Sequence, residues 1–436
     1  MKIFKFGGAS VKDASAVRNV ARILDMYSNE RVFMVVSAMG KTTNALEEIV
    51  RNCYEKQDYT THLSALKTYQ ATIVKELIPV PTAENPILPI VENLFDKMEK
   101  TLQQSASNRD FDALYDAIVP YGELFSTNII FEYLKHNGKN ICLINAFEWV
   151  KTDNYFRAAK VDMKNSTKQL QNIVAQNPDI PIFITQGFIG ASVEGNHPTT
   201  LGREGSDYTA ALAASILQAE SVTVWKDVPG LFNADPKKLP DAQKINTLSY
   251  KEAVELAYYG ASIIHPKTIK PIENSNIPLY IKSFLSPEDD GTLICREVEN
   301  EMQIPFFIFH HNQILISISV KDLSFITEES LHHIFGIISR CRVRVHLMQN
   351  SAISFSICTD NDPIRCQQLI NLLSEHYSVL YNDRLELLTV RHYQHSNLNA
   401  LLTEKEILLE QRSRTTAQFV VRNLVDMTKR QQYIKA

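Results

Sequence analysis

Apolar positions near the start of the chain fall into two kinds of pattern. Ile3, Phe4 and Phe6 surround Lys5 in a short apolar run that breaks at Gly7-Gly8. From Ala14 to Met26, the apolar residues Val17, Val20, Ala21, Ile23 and Leu24 recur at helical spacing; Arg31-Val32-Phe33-Met34-Val35-Val36-Ser37 is then almost continuously apolar. The first and third segments predict strands and the second a helix. An unbroken apolar strand is one buried on both faces of a parallel sheet. Residues 180–190 and 221–225 repeat the strand pattern, 140–145 adds another strand, and 277–282 closes the sheet. Residues 44–117 read as mostly helical, interrupted by Pro79, Pro81, Pro86 and Pro89, and carry no candidate chemistry. Strands alternating with helices predict an α/β fold with crossover connections, which binds ligands at the carboxyl ends of its strands.

The pattern changes near Pro287–Gly291, which sets the expected boundary between a first region, 1–290, and a second region, 300–436. From Ile304 onwards short elements are expected: strands at 314–320, 343–348, 353–359, 385–391, 407–411 and 415–421, and helices at 328–341, 363–376 and 396–402. The order repeats, predicting two small α+β units in tandem, about 313–378 for the first and 304–312 with 379–436 for the second. No catalytic constellation falls there, so a sensing or dimerising role is expected.

Composition narrows the classes. A chain of 436 residues, 44% hydrophobic and 22% charged, is an ordinary globular protein of two or three domains. A net charge of −4 without a basic stripe gives no nucleic-acid footprint. Cys53, Cys142, Cys295, Cys341, Cys358 and Cys366 form no C-x-x-C pair, which argues against disulfides and a structural zinc site and for buried thiols in a reducing compartment. No apolar run reaches the roughly 18–20 residues of a membrane span, and no signal-peptide core is present. A cytoplasmic protein is expected, and no metal-ligating set is assigned.

The candidate chemistry sits in the loops. Lys5-Phe6-Gly7-Gly8 reads as a phosphate cradle: paired glycines let backbone approach an anion, a helix N-terminus offers N–H groups, and Lys5 adds a full charge. Ser37-Ala38-Met39-Gly40-Lys41-Thr42-Thr43-Asn44 is a hydroxyl-bearing loop after a buried strand. Glu123 lies in the first turn of a helix, where a carboxylate often only offsets the helix dipole. Thr199-Thr200-Leu201-Gly202-Arg203-Glu204-Gly205-Ser206-Asp207 is a second anion-facing loop. Ser206 or Asp207 could simply cap the following helix, but capping does not account for an arginine between two glycines. Lys226-Asp227-Val228-Pro229-Gly230-Leu231-Phe232-Asn233-Ala234-Asp235-Pro236-Lys237 mixes charges with an aromatic residue in a way that suits a nucleotide.

Taken together, Lys5-Phe6-Gly7-Gly8-Ala9-Ser10-Val11, Gly122-Glu123, Ile184-Thr185-Gln186-Gly187-Phe188-Ile189-Gly190, the loop from Thr199 to Ala211, Trp225-Lys226-Asp227-Val228-Pro229-Gly230 and His265-Pro266 resemble the aspartate kinase family, within the larger amino-acid kinase group. The tail looks like that family's paired ACT regulatory domains. The resemblance implies a three-layer α/β/α sandwich with a mainly parallel sheet, followed by two βαββαβ units. It also implies ATP-dependent phosphorylation of the side-chain carboxylate of L-aspartate, with Mg²⁺, as the first step toward lysine, threonine and methionine under feedback control. By the same resemblance Lys5 and Asp207 are catalytic, and Ser37, Thr43, Glu123, Arg203 and Ser206 bind the substrate. Lys5, Phe6, Gly7, Gly8, Lys226, Asp227, Phe232, Lys237 and Ser262 hold ATP.

Several positions depart from the family pattern. Ala9 stands where Thr is usual, Glu204 where Gly is frequent, Lys226 where Thr is common and Ser262 where Lys is common. The last two read as one compensating exchange of a cation. Lysine-sensitive members carry Asp and a Thr-Ser-Glu run where this chain reads His346-Leu347-Met348-Gln349-Asn350-Ser351-Ala352. Both carboxylates that would meet an effector's amino groups are lost, which argues against lysine inhibition, while Gln349, Asn350 and Ser351 keep main-chain and amide contacts for an amino acid; with His346 they are the candidate regulatory residues. ACT units commonly pair across a twofold axis, so a homodimer through them is expected, and with no dehydrogenase segment following, a monofunctional enzyme. The alternatives are a kinase of the same group acting on acetylglutamate, glutamate, uridylate or carbamate, and an amino-acid-sensing regulator without catalysis. Lys5, Arg203 and Asp207 speak against the latter.

Overall fold

The apolar runs form the inner strands of an eight-stranded sheet. Lys2–Phe6 pairs in parallel with Val32–Val36 on one side and with Ser221–Lys226 on the other. Outward from Val32–Val36 come Ile182–Gln186 and then Ile141–Ile144, both parallel. On the other flank Leu279–Ser283 is parallel to Ser221–Lys226, and Thr292–Cys295 is antiparallel to Leu279–Ser283 and parallel to Thr247–Ser249. Val32–Val36 and Ile182–Gln186 are buried at every position, as their unbroken apolar character requires.

Alternation along Lys2–Phe6 decides where Lys5 goes. Phe4 and Phe6 enter a core with Val17, Val20, Ile23, Met34, Val36 and Trp225, where Phe6 and Trp225 rings stack at 6.2 Å. Lys5 therefore faces the opposite side, where the helix Gly205–Leu217 packs on Lys2–Phe6 and Val32–Val36.

The structure, a computed structural model, describes residues 1–105, 110–261, 266–298, 304–322 and 324–424. They divide into two units. The first holds Met1–Leu231, Ile245–Ala257 and the described part of 262–301; the second holds Phe232–Lys244, Tyr258–Ala261 and the described residues from 302 onwards.

In the second unit, a six-stranded antiparallel sheet runs in the order Val345–Asn350, Ser354–Asp360, Phe306–Val320, Tyr377–Arg391, Thr416–Asn423, Lys405–Arg412. The helices Glu328–Arg340 and Pro363–His376 bury Ile334, Ile337, Ile338, Leu369 and Leu373 against Ile314, Ile316, Ile318 and Ile357. Their starts are fixed by Thr327, which accepts from the Ser330 N–H, and by Asp362, which accepts from those of Ile364 and Arg365. The expectation of uniformly short elements is corrected here. Phe306–Val320 and Tyr377–Arg391 are strands of 15 residues each. The polar stretches His310-His311-Asn312-Gln313 and Asn382-Asp383-Arg384 interrupt the apolar alternation, but the backbone carries the ladder past them through register shifts between His310, Gln313 and Leu315.

All six cysteines are free; Cys53, Cys341, Cys358 and Cys366 are buried and Cys142 and Cys295 partly so. Among the described residues no helix is long and apolar enough to cross a membrane.

Candidate active site

Three loops and one helix start converge at the carboxyl ends of the central strands. After Lys2–Phe6 the chain makes a 3₁₀ turn, Gly8–Val11, and the helix Ala14–Met26 begins only beyond it. The expected opening of the Gly-Gly turn directly onto a helix N-terminus is thus corrected: the Asp13 side chain already accepts from the Ala16 N–H at that helix end. Gly8 is needed for a close approach. A Cβ there would lie 2.6 Å from the Ala38 carbonyl oxygen and 3.1 Å from that of Gly40. The Gly40 N–H donates to the Gly8 carbonyl at 3.0 Å, so the loop after Val32–Val36 lies directly on the first turn.

The second anion-facing loop is built on strained backbone. Glu204 occupies the left-handed region (φ 54°) ahead of the helix Gly205–Leu217 and makes no side-chain capping bond. Glycine takes this conformation without a Cβ penalty, which gives the family's frequent Gly here a physical reason. Ser206 and Asp207 are buried inside the first turn rather than at the cap. A Cβ on Gly187 would meet that of Ser206 at 2.5 Å, so the strand Ile182–Gln186 ends hard against the helix start. Across the sheet, Asp207 Oδ1 meets Lys5 Nζ at 2.6 Å, both side chains nearly buried (7% and 12% exposed). Burial pushes the Lys226 ammonium below its usual range, the Asp207 carboxylate pulls it back up, and the Lys5 ammonium pushes the same way as burial.

Glu123 closes the opposite end. It lies in the first turn of the helix Tyr121–His136, and its Oε1 accepts the Ala38 N–H at 3.2 Å. Its Oε2 is buried without a hydrogen-bond partner. Burial pushes its carboxyl up to about 8, against the pull of the Ala38 N–H. Thr185 and Gln186, between these loops, are structural: Thr185 Oγ1 accepts from Trp149 Nε1 at 3.1 Å, and Gln186 bridges the Ala146 N–H and Thr127 Oγ1, each at 2.8 Å.

A cavity of about 440 Å³ brings together Lys5, Gly8, Ser37, Thr43, Glu123, Arg203, Ser206 and Asp207. Gly7 adjoins it, since a Cβ there would touch Lys5 Nζ at 3.4 Å. The Phe6 side chain points into the core, leaving only its backbone to the loop. Lys226 is within electrostatic reach of Lys5 and Asp207, and Asp227 is exposed beyond it. Phe232 and Lys237 fall in the second unit, partly buried and exposed respectively. Ser262, and His265 of the His-Pro pair, lie outside the described residues. In the second unit His346 is mostly buried on the strand Val345–Asn350, whereas Gln349, Asn350 and Ser351 are exposed at its end, with Ser351 tied into a turn to Ser354.

Arg157 and Tyr115 also line the cavity and went unread in the sequence. Arg157 has left-handed backbone (φ 64°), and its guanidinium sits 4.5 Å from the Tyr115 ring centroid and 3.1 Å from Asp112 Oδ1. Buried Asp116 holds that turn. Its Oδ2 accepts the N–H groups of Arg157 (2.9 Å) and Thr200 (3.0 Å), and Oδ1 accepts the Thr200 hydroxyl at 2.7 Å. Burial pushes the Asp116 carboxyl up to about 6, although these donors favour its ionised form. A lone arginine in a polar loop carries no periodic signal, so its place here emerges only from the fold.

A sheet with glycine-bearing polar loops at its carboxyl ends, a lysine–aspartate pair and a buried carboxyl oxygen lacking a partner offers the charges that joining two anions would need. The model of the amino acid kinase family matches residues 1–283. The chain is 30% identical over 395 residues to lysine-sensitive aspartokinase 3 of Escherichia coli (strain K12), covering 89% of this chain and 86% of that protein. The crystal structure of E. coli aspartokinase III in complex with aspartate and ADP, termed the R-state, superposes with a TM-score of 0.82 at 28% identity, covering 98% of this chain and 97% of that one. The chain also resembles a chloroplastic bifunctional aspartokinase/homoserine dehydrogenase 2 of Arabidopsis thaliana at 28% identity, but spans only 39% of its length. The chain belongs to the amino acid kinase family, and within it to the aspartokinases.

Proposed function

We propose that this chain transfers the γ-phosphoryl group of ATP to the side-chain carboxylate of L-aspartate, giving 4-phospho-L-aspartate and ADP. The observation that carries the substrate is Glu123: its buried Oε2 has no partner and lines the same cavity as the Lys5–Asp207 pair and Arg203. An unpaired buried carboxylate is costly, and an ammonium group placed against it removes that cost. Arg203 takes the α-carboxylate, so the amino acid is held at both ends of its backbone and its side chain is directed toward Lys5.

The chemistry needs little from the protein besides position and charge. An aspartate side chain, with an ordinary pKa of about 3.9, is already an anion at neutral pH and needs no general base. The oxygen attacks the γ-phosphorus, the bond to the β,γ-bridging oxygen breaks, and ADP leaves with the electron pair. Lys5 neutralises charge on the transferring group, held in place by Asp207, while the turn at Gly7-Gly8 presents backbone N–H groups to the phosphates. Ser37, Thr43 and Ser206 add hydroxyls around the amino acid.

Mg²⁺ fits as ATP's own ion, since Asp207 and Glu204 offer hard oxygen donors in the same cavity and the phosphates supply others. When bound, it offsets phosphate charge. Lys226, Asp227, Phe232, Lys237 and Ser262 are proposed for the nucleotide, with Lys226 supplying the cation that Ser262 lacks.

For the remainder of the molecule, we keep 1–290 as the catalytic α/β/α region and 300–436 as two ACT-like units that pair in a cytoplasmic homodimer and bind an amino-acid effector through His346, Gln349, Asn350 and Ser351. The aspartokinase matches favour this over a kinase of another acid. The test is acyl-phosphate trapping: with ATP, Mg²⁺ and hydroxylamine, L-aspartate should give hydroxamate, and N-acetylglutamate and glutamate should not. Hydroxamate from one of those acids, or ATP binding without turnover, would overturn the assignment.

A further inference from the structure

In the second unit, three side chains distant in sequence converge on one point. His310 lies on Phe306–Val320, His346 on Val345–Asn350 and Asp360 at the end of Ser354–Asp360, and one ligand atom from each falls within 4.8 Å of the others. His346 Nε2 is buried, lies 3.1 Å from Asp360 Oδ1, and makes no aligned hydrogen bond. The two imidazole rings stand nearly parallel at 5.0 Å between centroids. We propose that His310, His346 and Asp360 form a binding site for a divalent transition-metal ion of the zinc type, separate from the catalytic cavity.

The spacing and the surrounding contacts support this. Metal–ligand bonds of about 2.0–2.2 Å place tetrahedral ligands roughly 3.3 Å apart, close to the observed His346–Asp360 separation. His310 Nε2 lies 2.8 Å from the Tyr259 carbonyl oxygen, which can only accept. That nitrogen is therefore the protonated one, and Nδ1 keeps its lone pair. An imidazole that donates its other N–H to a carbonyl is the usual support of a metal-bound histidine. Gln313 Nε2 donates to Asp360 Oδ1 at 2.9 Å and fixes the carboxylate in the same way.

The backbone is irregular at both histidines. The register shifts between Val345 and Leu347, making His346 the extra residue of a bulge, and shifts again between His310 and Gln313. Arg344, nearby and hydrogen-bonded to the Tyr258 carbonyl at 3.3 Å, is the opposing charge. With three protein ligands the ion keeps a fourth position for water, and it would pin the edge strand Val345–Asn350 to its neighbours.

The test uses the full chain, stripped with a chelator and titrated with Zn²⁺ by calorimetry and with Co²⁺ by absorption. One ion per chain is expected, with visible cobalt bands but no near-ultraviolet thiolate charge transfer. His346→Ala and Asp360→Asn should each lower affinity by at least about tenfold and abolish the rise in Tm caused by Zn²⁺. Asp360 is 62% exposed, so Asp360→Asn reads the site even if His346→Ala misfolds. No stoichiometric binding, unchanged affinity in Asp360→Asn, or a thiolate band would overturn the proposal. Aspartate phosphorylation need not be measured, so the outcome is independent of the catalytic reading.

Discussion

Glu123 is where burial and ligand recognition are most directly opposed. With its carboxyl pushed up to about 8, it is mostly protonated in the substrate-free site at pH 7, and gripping an ammonium ion requires it to ionise. The apparent affinity for L-aspartate should therefore improve as pH rises from about 6 to 8, with proton release on binding, both measurable by calorimetry in two buffers. Glu123→Gln should flatten that dependence and raise the aspartate KM by roughly ten- to a hundredfold, a charged contact being worth about 1.5–3 kcal/mol. The stability of the substrate-free protein should move the other way. A folded-state value above the ordinary 4.5 gives a contribution present at low pH and lost as pH rises through about 8. Glu123→Gln should thus melt higher than the parent at pH 9, with the gap closing by pH 5. A second expectation concerns Lys226: Lys226→Thr should raise the ATP KM while leaving that for aspartate nearly unchanged, and an unchanged ATP KM would rule out the compensating exchange with Ser262.

Among elements, the turn at Gly8 and the loop 37–40 act as one piece, because Glu123 is hydrogen-bonded to Ala38 and Ala38 lies over Gly8. Gly8→Ala puts a methyl group 2.6 Å from a carbonyl oxygen, so backbone must shift, at a cost of about 1–3 kcal/mol. The expected result is a lower Tm and a higher KM for both substrates; an unchanged protein would mean that the loop is not locked. The sequence makes these loops readable because buried parallel strands are nearly pure apolar runs, so whatever polar chemistry follows each run stands out. That places Lys5, Ser37, Thr43, Arg203 and Asp207 on one edge of the sheet before any coordinates. It does not reveal Arg157, which enters the cavity because buried Asp116 ties its backbone to Thr200. Asp116→Ala should loosen both segments and raise the aspartate KM more than that for ATP. Nor does it reveal the full length of Phe306–Val320, since His310-His311-Asn312-Gln313 resembles a loop until its partner strand is known.

For the whole molecule, the readable part is the order of strands and helices; the unreadable part is which distant segments share a unit. Phe232–Lys244 and Tyr258–Ala261 group with the second unit although they lie within the first 290 residues, because contacts such as Asn233 with Pro305 and Tyr259 with His310 are made far from their sequence neighbours. The central claim remains the chemistry of the first unit: Lys5, held by Asp207, stabilises phosphoryl transfer to aspartate. The most direct measurement is the steady-state rate of hydroxamate formation by Lys5→Ala at saturating ATP and L-aspartate. A fall in kcat of about 10²–10³-fold, with both substrates still binding, is predicted. A kcat close to that of the parent enzyme would contradict it.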